Sequence, residues 1–381
     1  MVERSIKPSV QKAMFKGKAI IIYGARQVGK TTLMREIERA SNVPSLYLNC
    51  DEPDVRQALA EKTSTELRAF IGKTRLLLID EAQRVANIGI TLKLLVDAIP
   101  ETQVIATGSS SFELSNKIVE PLTGRKVEFH LHPFSLAELS QLYSPLELQR
   151  LMDTRLIYGM YPDVVNSPES AGGTLRELTR SYLYKDILAH NRIRHSDVLE
   201  KLLQSIALQA GSEVSYTELA QQAGLDKATV ESYINLLEQS FVIFRVRPFS
   251  RNLRNELKKL RKIYFVDTGI RNMLINNLNP PPLRADIGSL WENFVISERL
   301  KHNENHNRYP NIWFWRSHQQ QEIDYLEEEG GALSGWEIKW NKGRFRVPST
   351  FAAAYPECAV SLVNRDNLLT FAGAVPINDA A

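Results

Sequence analysis

The segment Gly24-Ala25-Arg26-Gln27-Val28-Gly29-Lys30-Thr31, followed by Thr32, fits the spacing G-x-x-x-x-G-K-[ST]. Glycines at that spacing let the backbone turn tightly enough for successive N–H groups and a helix N-terminus to face phosphate oxygens. A lysine directly after the second glycine bridges the β- and γ-phosphates of a nucleotide, and the hydroxyl that follows ligates Mg²⁺. Residues 24–32 are therefore expected to form a phosphate cradle, with Lys30 on the phosphates and Thr31 on the metal. Arg75 to Glu81 reads RLLLIDE, an apolar strand closed by two acids. Asp80 at its end can hold the Mg²⁺ shell through water, and Glu81 can orient or deprotonate an attacking water. Thr107 and Ser109, in Ala106-Thr107-Gly108-Ser109, offer hydroxyls that can sense a γ-phosphate. Arg125, in Leu122-Thr123-Gly124-Arg125, is a candidate arginine finger for a neighbouring subunit.

A second constellation lies near the C-terminal end. Asp324 falls in one expected strand and Glu337-Ile338-Lys339 in the next, joined by the turn EEEGGAL. In a hairpin, Asp324, Glu337 and Lys339 take alternating positions on adjacent strands, where side chains converge on one side. Glu292, in the preceding helical stretch, can add a fourth group. Glu-x-Lys alone is weak evidence, and Glu256-Leu257-Lys258 is a second copy in a basic stretch without that context.

The elements that must position these groups follow from the apolar pattern. From Ala19 to Leu131 the runs AIIIYG, PSLYLN, RLLLID, QVIATG and KVEFHL alternate with segments long enough for helices. That is the pattern of a parallel sheet buried on both faces, so the fold class is α/β. A P-loop core is expected over 1–140, and a helical lid or connector over 141–210. Residues 211–280 read as helix, tight turn, helix and β-rich run, with Gly224 ending the first helix, Asp226 capping the second, and FVIFRV pairing with KIYFV. This predicts a winged helix. After the Pro-rich stretch NLNPPPLRAD, residues 281–381 read as helix, three strands, helix and strand, a small α/β domain.

Taken together, GARQVGKTTL, LLLIDEAQ, ATGSSSFEL, LTGRKVEFHLHPFSLAEL, YPDVV, SYLYKDIL, YFVDTGIRN, SLWENFVISERL, QEIDYL and GWEIKW resemble the bacterial and archaeal AAA-type ATPases that carry a C-terminal domain of unknown function, number 4143. The resemblance implies an ATP-binding core with Mg²⁺ as cofactor, followed by a nuclease-like region. ATP rather than GTP rests on it and on the lack of an Asn-Lys-x-Asp guanine-reading motif. The C-terminal constellation is similar to the PD-(D/E)XK nuclease core, with Ile323-Asp324 in place of Pro-Asp. In that core two carboxylates bind Mg²⁺ and the lysine stabilises the attacking water. An active nuclease, an inactive nuclease-like fold and an unrelated hairpin all stay open.

Composition narrows the class of partner. With 381 residues, 43% hydrophobic and 24% charged, the chain matches a soluble, multidomain globular protein. No run of about 18 uncharged apolar residues occurs, and the N-terminus is too polar for a signal peptide. A cytoplasmic protein without membrane contact is expected. Cys50 and Cys358 have no Cys-x-x-Cys spacing and predict neither disulfide nor zinc. The net charge of +3 carries no nucleic-acid signal, but Arg245 to Lys262 holds eight cations against Glu256 alone. That run makes nucleic acid a candidate partner, DNA ahead of RNA, beside the rival of a nucleotide-dependent protein-interaction switch and a homo-oligomer.

Overall fold

The computed structural model describes residues 2–108, 122–189, 196–249, 261–317 and 319–376. They fall into two compact units, one built on Glu3–His132 with Gln239–Phe241, the other on Pro133–Glu238 and the chain from Val242 onward.

In the first unit, Lys7–Ala13 (α1) precedes β1 (Ala19–Tyr23), α2 (Lys30–Ser41), β2 (Ser45–Asn49), α3 (Pro53–Leu59), α4 (Ser64–Ile71), β3 (Leu76–Asp80), α5 (Ile88–Ala98), β4 (Gln103–Gly108) and β5 (Lys126–His130). The five strands are the five apolar runs of the sequence, and they form one parallel sheet in the order β2-β3-β4-β1-β5. Every residue of β1, β3 and β4 is buried. That is why these strands read as unbroken apolar runs rather than alternating ones. Ile21, Ile79, Val104 and Ala106 pack in one core with Leu92 and Leu95 of α5. Because β4 lies between β1 and β3, the strand that carries Thr107 separates the loop after β1 from Asp80 at the end of β3. In open parallel sheets ligands bind beyond the carboxyl ends of strands, and this order brings all three sequence signals to that edge.

In the second unit come α6 (Leu136–Leu139), α7 (Pro145–Tyr158), α8 (Pro162–Asn166), α9 (Ala171–Ala189), α10 (Ser196–Leu208), β6 (Glu213–Val214), α11 (Tyr216–Ala223), α12 (Lys227–Gln239), β7 (Ile243–Pro248) and β8 (Arg261–Phe265). They are followed by α13 (Thr268–Leu274), α14 (Ile287–Asn305), β9 (Asn311–Arg316), β10 (Glu322–Glu329), β11 (Ala332–Ile338), α15 (Ser349–Ala354), β12 (Ala359–Val363) and α16 (Leu368–Phe371). Gly224 ends α11 in the left-handed region at φ 69°. Asp226 caps the next helix by accepting from the Thr229 amide at 2.9 Å. β7 and β8 pair antiparallel, Arg245 opposite Ile263.

A seven-stranded sheet, β12-β11-β10-β9-β7-β8-β6, runs through this unit. Its continuity rests on parallel pairing of β7 with β9, where Arg247 faces Trp313 and Pro248 faces Phe314. The sheet therefore crosses residue 280, where the Pro-rich stretch suggests a junction. The reason is that β7 offers its second edge to β9, a pairing between distant segments that local composition does not encode. The β10–β11 turn is tight because Gly330 and Gly331 both take positive φ, 59° and 85°. Trp291, Phe294, Phe314 and Tyr325 fill the core beneath this sheet. Among the described residues no helix is long and apolar enough to cross a membrane.

Candidate functional site

The loop after β1 is shaped by close approach. A Cβ on Gly24 would lie 2.2 Å from the Leu131 carbonyl oxygen, so only glycine fits beside the end of β5. Gly29 takes φ 96° and starts α2, which turns its first N–H groups toward the loop mouth. Ala25 and Val28 are buried anchors, while Arg26 is half-buried and Gln27, Thr31 and Thr32 are exposed. Lys30 is buried, and its Nζ donates to the carbonyls of Gly24 at 2.9 Å and Ala25 at 2.8 Å. Sequence reasoning missed Arg4. Its buried guanidinium donates to Val28 O at 2.6 Å and to His132 O at 2.5 Å, tying the loop to the chain after β5.

Asp80 is the hub of the sheet edge. Its Oδ2 accepts from Thr31 Oγ1 at 2.6 Å and from the Tyr47 hydroxyl at 2.7 Å. Its Oδ1 accepts from Thr107 Oγ1. Burial and the Asp80 carboxylate raise the Tyr47 hydroxyl pKa above its ordinary value, so the phenol stays a donor. Tyr47 was also missed; it lies on β2, and its ring is covered by the Arg35 guanidinium at 3.4 Å. Thr31 and Asp80 present two hard oxygens side by side, a donor set that fits Mg²⁺. Glu81 takes the left-handed conformation at φ 52°, uncommon for a residue with a side chain. Its N–H lies 3.2 Å from Thr107 Oγ1, and its carboxylate accepts from Gln83 Nε2 at 2.6 Å. Lys30, Thr31, Asp80, Glu81 and Thr107 are thus gathered at one edge.

Arg125 is not with them. It directly precedes β5, whose first residue pairs with Ala19 at the start of β1, so it lies at the opposite end of the sheet. There its Nε reaches Asp97 Oδ1 at 2.7 Å. A role for Arg125 toward phosphate in its own chain is incompatible with that placement. Ser109 lies outside the described residues.

The C-terminal acids do come together, with additions. Asp324 on β10 is buried and accepts from the Ile338 amide at 2.7 Å. Glu337 Oε1 lies 2.5 Å from Lys339 Nζ, and its Oε2 has no hydrogen-bond partner among the described residues. Glu292 on α14 accepts from Tyr264 at 2.6 Å and from Lys262 at 2.8 Å. Lys262 also pairs with Glu322. Burial, Glu292 and Glu337 push the Asp324 carboxyl well above the usual range. Burial pulls the Lys262 ammonium down, but Glu292, Glu322 and Asp324 more than offset this and hold it charged. Among the described residues no three His, Cys, Asp or Glu side chains are arranged to hold a metal ion. Lys262, a second ammonium besides the Lys339 that the nuclease pattern already supplies, is ion-paired to Glu292 and Glu322. With this extra cation inside it, the cluster does not fit the Mg²⁺ that the nuclease resemblance implies.

The basic run is weaker than its sequence suggests. Arg245 is engaged by Glu238 at 2.9 Å, and Lys262 is inside the acidic cluster. Arg247 is exposed and Arg261 half-buried, while Arg251, Arg254, Lys258 and Lys259 lie outside the described residues. On α12, Tyr233 is buried, and Lys227, Glu231 and Ser232 are exposed.

Three stretches of the chain match family models. Residues 16–140 match the model of an AAA domain. Residues 149–280 match a domain of unknown function, DUF8612, and residues 287–379 another, DUF4143. An uncharacterized protein of Mycobacterium tuberculosis is 25% identical over 342 residues, spanning 88% of this chain and 73% of that protein. One of Haemophilus influenzae is 26% identical over 310 residues, spanning 74% of each. A solved structure of the Thermotoga maritima RuvB Holliday junction branch migration motor aligns with 68% of this chain and 95% of its own, at 16% identity and a TM-score of 0.32. The chain accordingly carries an AAA domain with a P-loop and, at its C-terminal end, the domain of unknown function DUF4143.

Proposed function

We propose that this protein binds and hydrolyses ATP in a Mg²⁺-dependent manner at the edge of its parallel sheet. The observation that carries the reading is the Asp80 carboxylate joined to Thr31 and Thr107 beside a lysine-bearing glycine loop. The loop amides and Lys30 bind the β- and γ-phosphates and neutralise charge that develops as the terminal P–O bond breaks. Thr31 and Asp80 would hold a Mg²⁺ ion, which would supply further charge neutralisation at the phosphate oxygens. Glu81 takes the proton of the attacking water, so that oxygen bonds to the γ-phosphorus and ADP leaves with the bridging electrons. Thr107, bonded to both the Asp80 carboxylate and the Glu81 amide, positions these two acids. Arg125 acts, in this reading, only from a neighbouring subunit.

The finer reading is that nucleotide state changes how the C-terminal region binds nucleic acid, DNA ahead of RNA. Arg247, exposed on β7, and the sequence cations Arg251, Arg254, Lys258 and Lys259 support it. A second reading, a nucleotide-dependent protein-interaction switch with an inactive nuclease-like region, is favoured by the buried lysine among Glu292, Glu322 and Asp324. ATP turnover with and without single- and double-stranded DNA, with product gels for wild type and Lys339→Ala, separates the two. DNA-stimulated turnover with Lys339-dependent cutting selects an ATP-driven nuclease. Turnover indifferent to DNA, with no cutting, selects the switch.

A further inference from the structure

We propose that Lys262 is the resident cation of the C-terminal acidic cluster, a fixed ammonium that keeps divalent metal away from Glu292, Glu322 and Asp324. The inference deepens the second reading above, because it says what makes the nuclease-like region inactive. It does not depend on ATP hydrolysis.

The geometry is specific. Lys262 sits on β8, next to β7 in the seven-stranded sheet, and its side chain is almost fully buried. Its Nζ reaches Glu292 of α14 at 2.8 Å and also pairs with Glu322 of β10. The ring of Phe314 lies 5.4 Å from the same nitrogen and closes another side with aromatic surface. Tyr264, two residues along β8, donates to the Glu292 oxygen that Lys262 also holds. Glu292 is thereby fixed from two directions by one strand.

Charge explains the arrangement. Glu292, Glu322, Asp324 and Glu337 are four acids within one region of mutual repulsion, and Asp324 responds to Glu292 and Glu337 as well as to burial. Buried carboxylates persist only when paired. A divalent ion is one way to pair them, and an ammonium on a rigid strand is another. The structure has the second. A lysine so placed takes up oxygens of Glu292 and Glu322 and, through its charge alone, adds repulsion against a divalent ion at Asp324. Lys339 answers Glu337 at 2.5 Å with its side chain half exposed, and it also feels the charges of Asp324 and Glu292.

The test is Mn²⁺ binding to the full-length, nucleotide-free chain, followed by electron paramagnetic resonance. The P-loop contribution is the part lost in Asp80→Asn, and the cluster contribution is the part lost in Asp324→Asn. Wild type is expected to have no Asp324-dependent Mn²⁺ site. Lys262→Met is expected to gain one, about tenfold or more tighter than any residual Mn²⁺ binding left in Lys262→Met/Asp324→Asn, which is expected to lose the site. Lys262→Arg, which keeps the charge, is expected to behave as wild type. An Asp324-dependent Mn²⁺ site in the wild-type chain overturns the proposal whatever the variants do. A folded Lys262→Met that gains no Mn²⁺ also overturns it. Should Lys262→Met fail to fold, the wild-type and Asp324→Asn comparison still decides.

Discussion

Thr31 and Asp80, forty-nine positions apart in the chain, meet through a 2.6 Å hydrogen bond from Oγ1 to Oδ2. The bond joins the start of the helix after the glycine loop to the end of the third strand. Tyr47 and Thr107 bring a second and a third hydroxyl to the same carboxylate.

That hub ranks four substitutions. Asp80→Asn and Thr31→Ala remove proposed metal-directed oxygens and should abolish the Mg²⁺ dependence of ATP turnover together with most of the turnover. Tyr47→Phe removes one hydrogen bond to a charged group, about 1.5–3 kcal/mol of orienting interaction at most. It should leave a Mg²⁺-dependent enzyme with a weaker apparent metal affinity, and Thr107→Val should fall between. Mg²⁺ titration of turnover in the four variants checks the order, and a Tyr47→Phe loss as complete as that of Asp80→Asn contradicts it.

Gly24→Ala places a methyl carbon 2.2 Å from the Leu131 carbonyl, a contact that only backbone movement relieves. Overpacking of this kind costs about 1–3 kcal/mol. The variant should melt lower than wild type and lose nucleotide binding, both readable in a thermal-shift assay with and without Mg-ATP. An unchanged ATP-induced shift would mean that the loop does not approach β5 as closely as described.

Arg4 holds the loop from outside, through the carbonyls of Val28 and His132. Arg4→Gln leaves buried carbonyls short of donors, at about 1–3 kcal/mol each where no substitute forms. Because the loop loses its brace while Lys30, Asp80 and Glu81 stay, KM for ATP should rise more than kcat falls. A fall in kcat at constant KM would place Arg4 in the chemistry instead.

Much of this arrangement is legible in the sequence, for identifiable reasons. The five strands read directly because a strand covered on both faces must be apolar throughout, as IIIY and LLLI are. Gly24 to Thr31 and Asp80-Glu81 are short local patterns whose chemistry depends on spacing alone. Arg4 and Tyr47 were not legible because they act across 24 and 33 residues of chain, through packing that no local spacing records. Lys262 was misleading. It closes a run of surface-like cations, and only the pairing of β8 with its neighbours and with α14 turns it inward onto Glu292.

The second unit carries an acid-sensitive group in His302 on α14. Burial, with His306, Arg299 and Arg308 nearby, lowers its pKa to about 4. The unfolded chain titrates near 6.5, so between about pH 6.5 and 4 it binds more protons than the folded one. Stability should therefore fall as pH falls through that window. Urea midpoints of the unit's transition should drop between pH 7 and 4.5 in wild type and drop less in His302→Gln. Equal slopes would remove His302 as the cause.

ATP turnover and ATP affinity measured side by side in wild type and Glu81→Gln test the central claim most directly. Removing a positioned general base lowers turnover by about 10²–10⁴-fold. Phosphate binding by the loop and Lys30 should stay, so the variant should bind Mg-ATP as tightly as wild type and turn it over at least a hundredfold more slowly. Turnover in Glu81→Gln equal to wild type, or a wild-type protein that binds no ATP, would contradict the account.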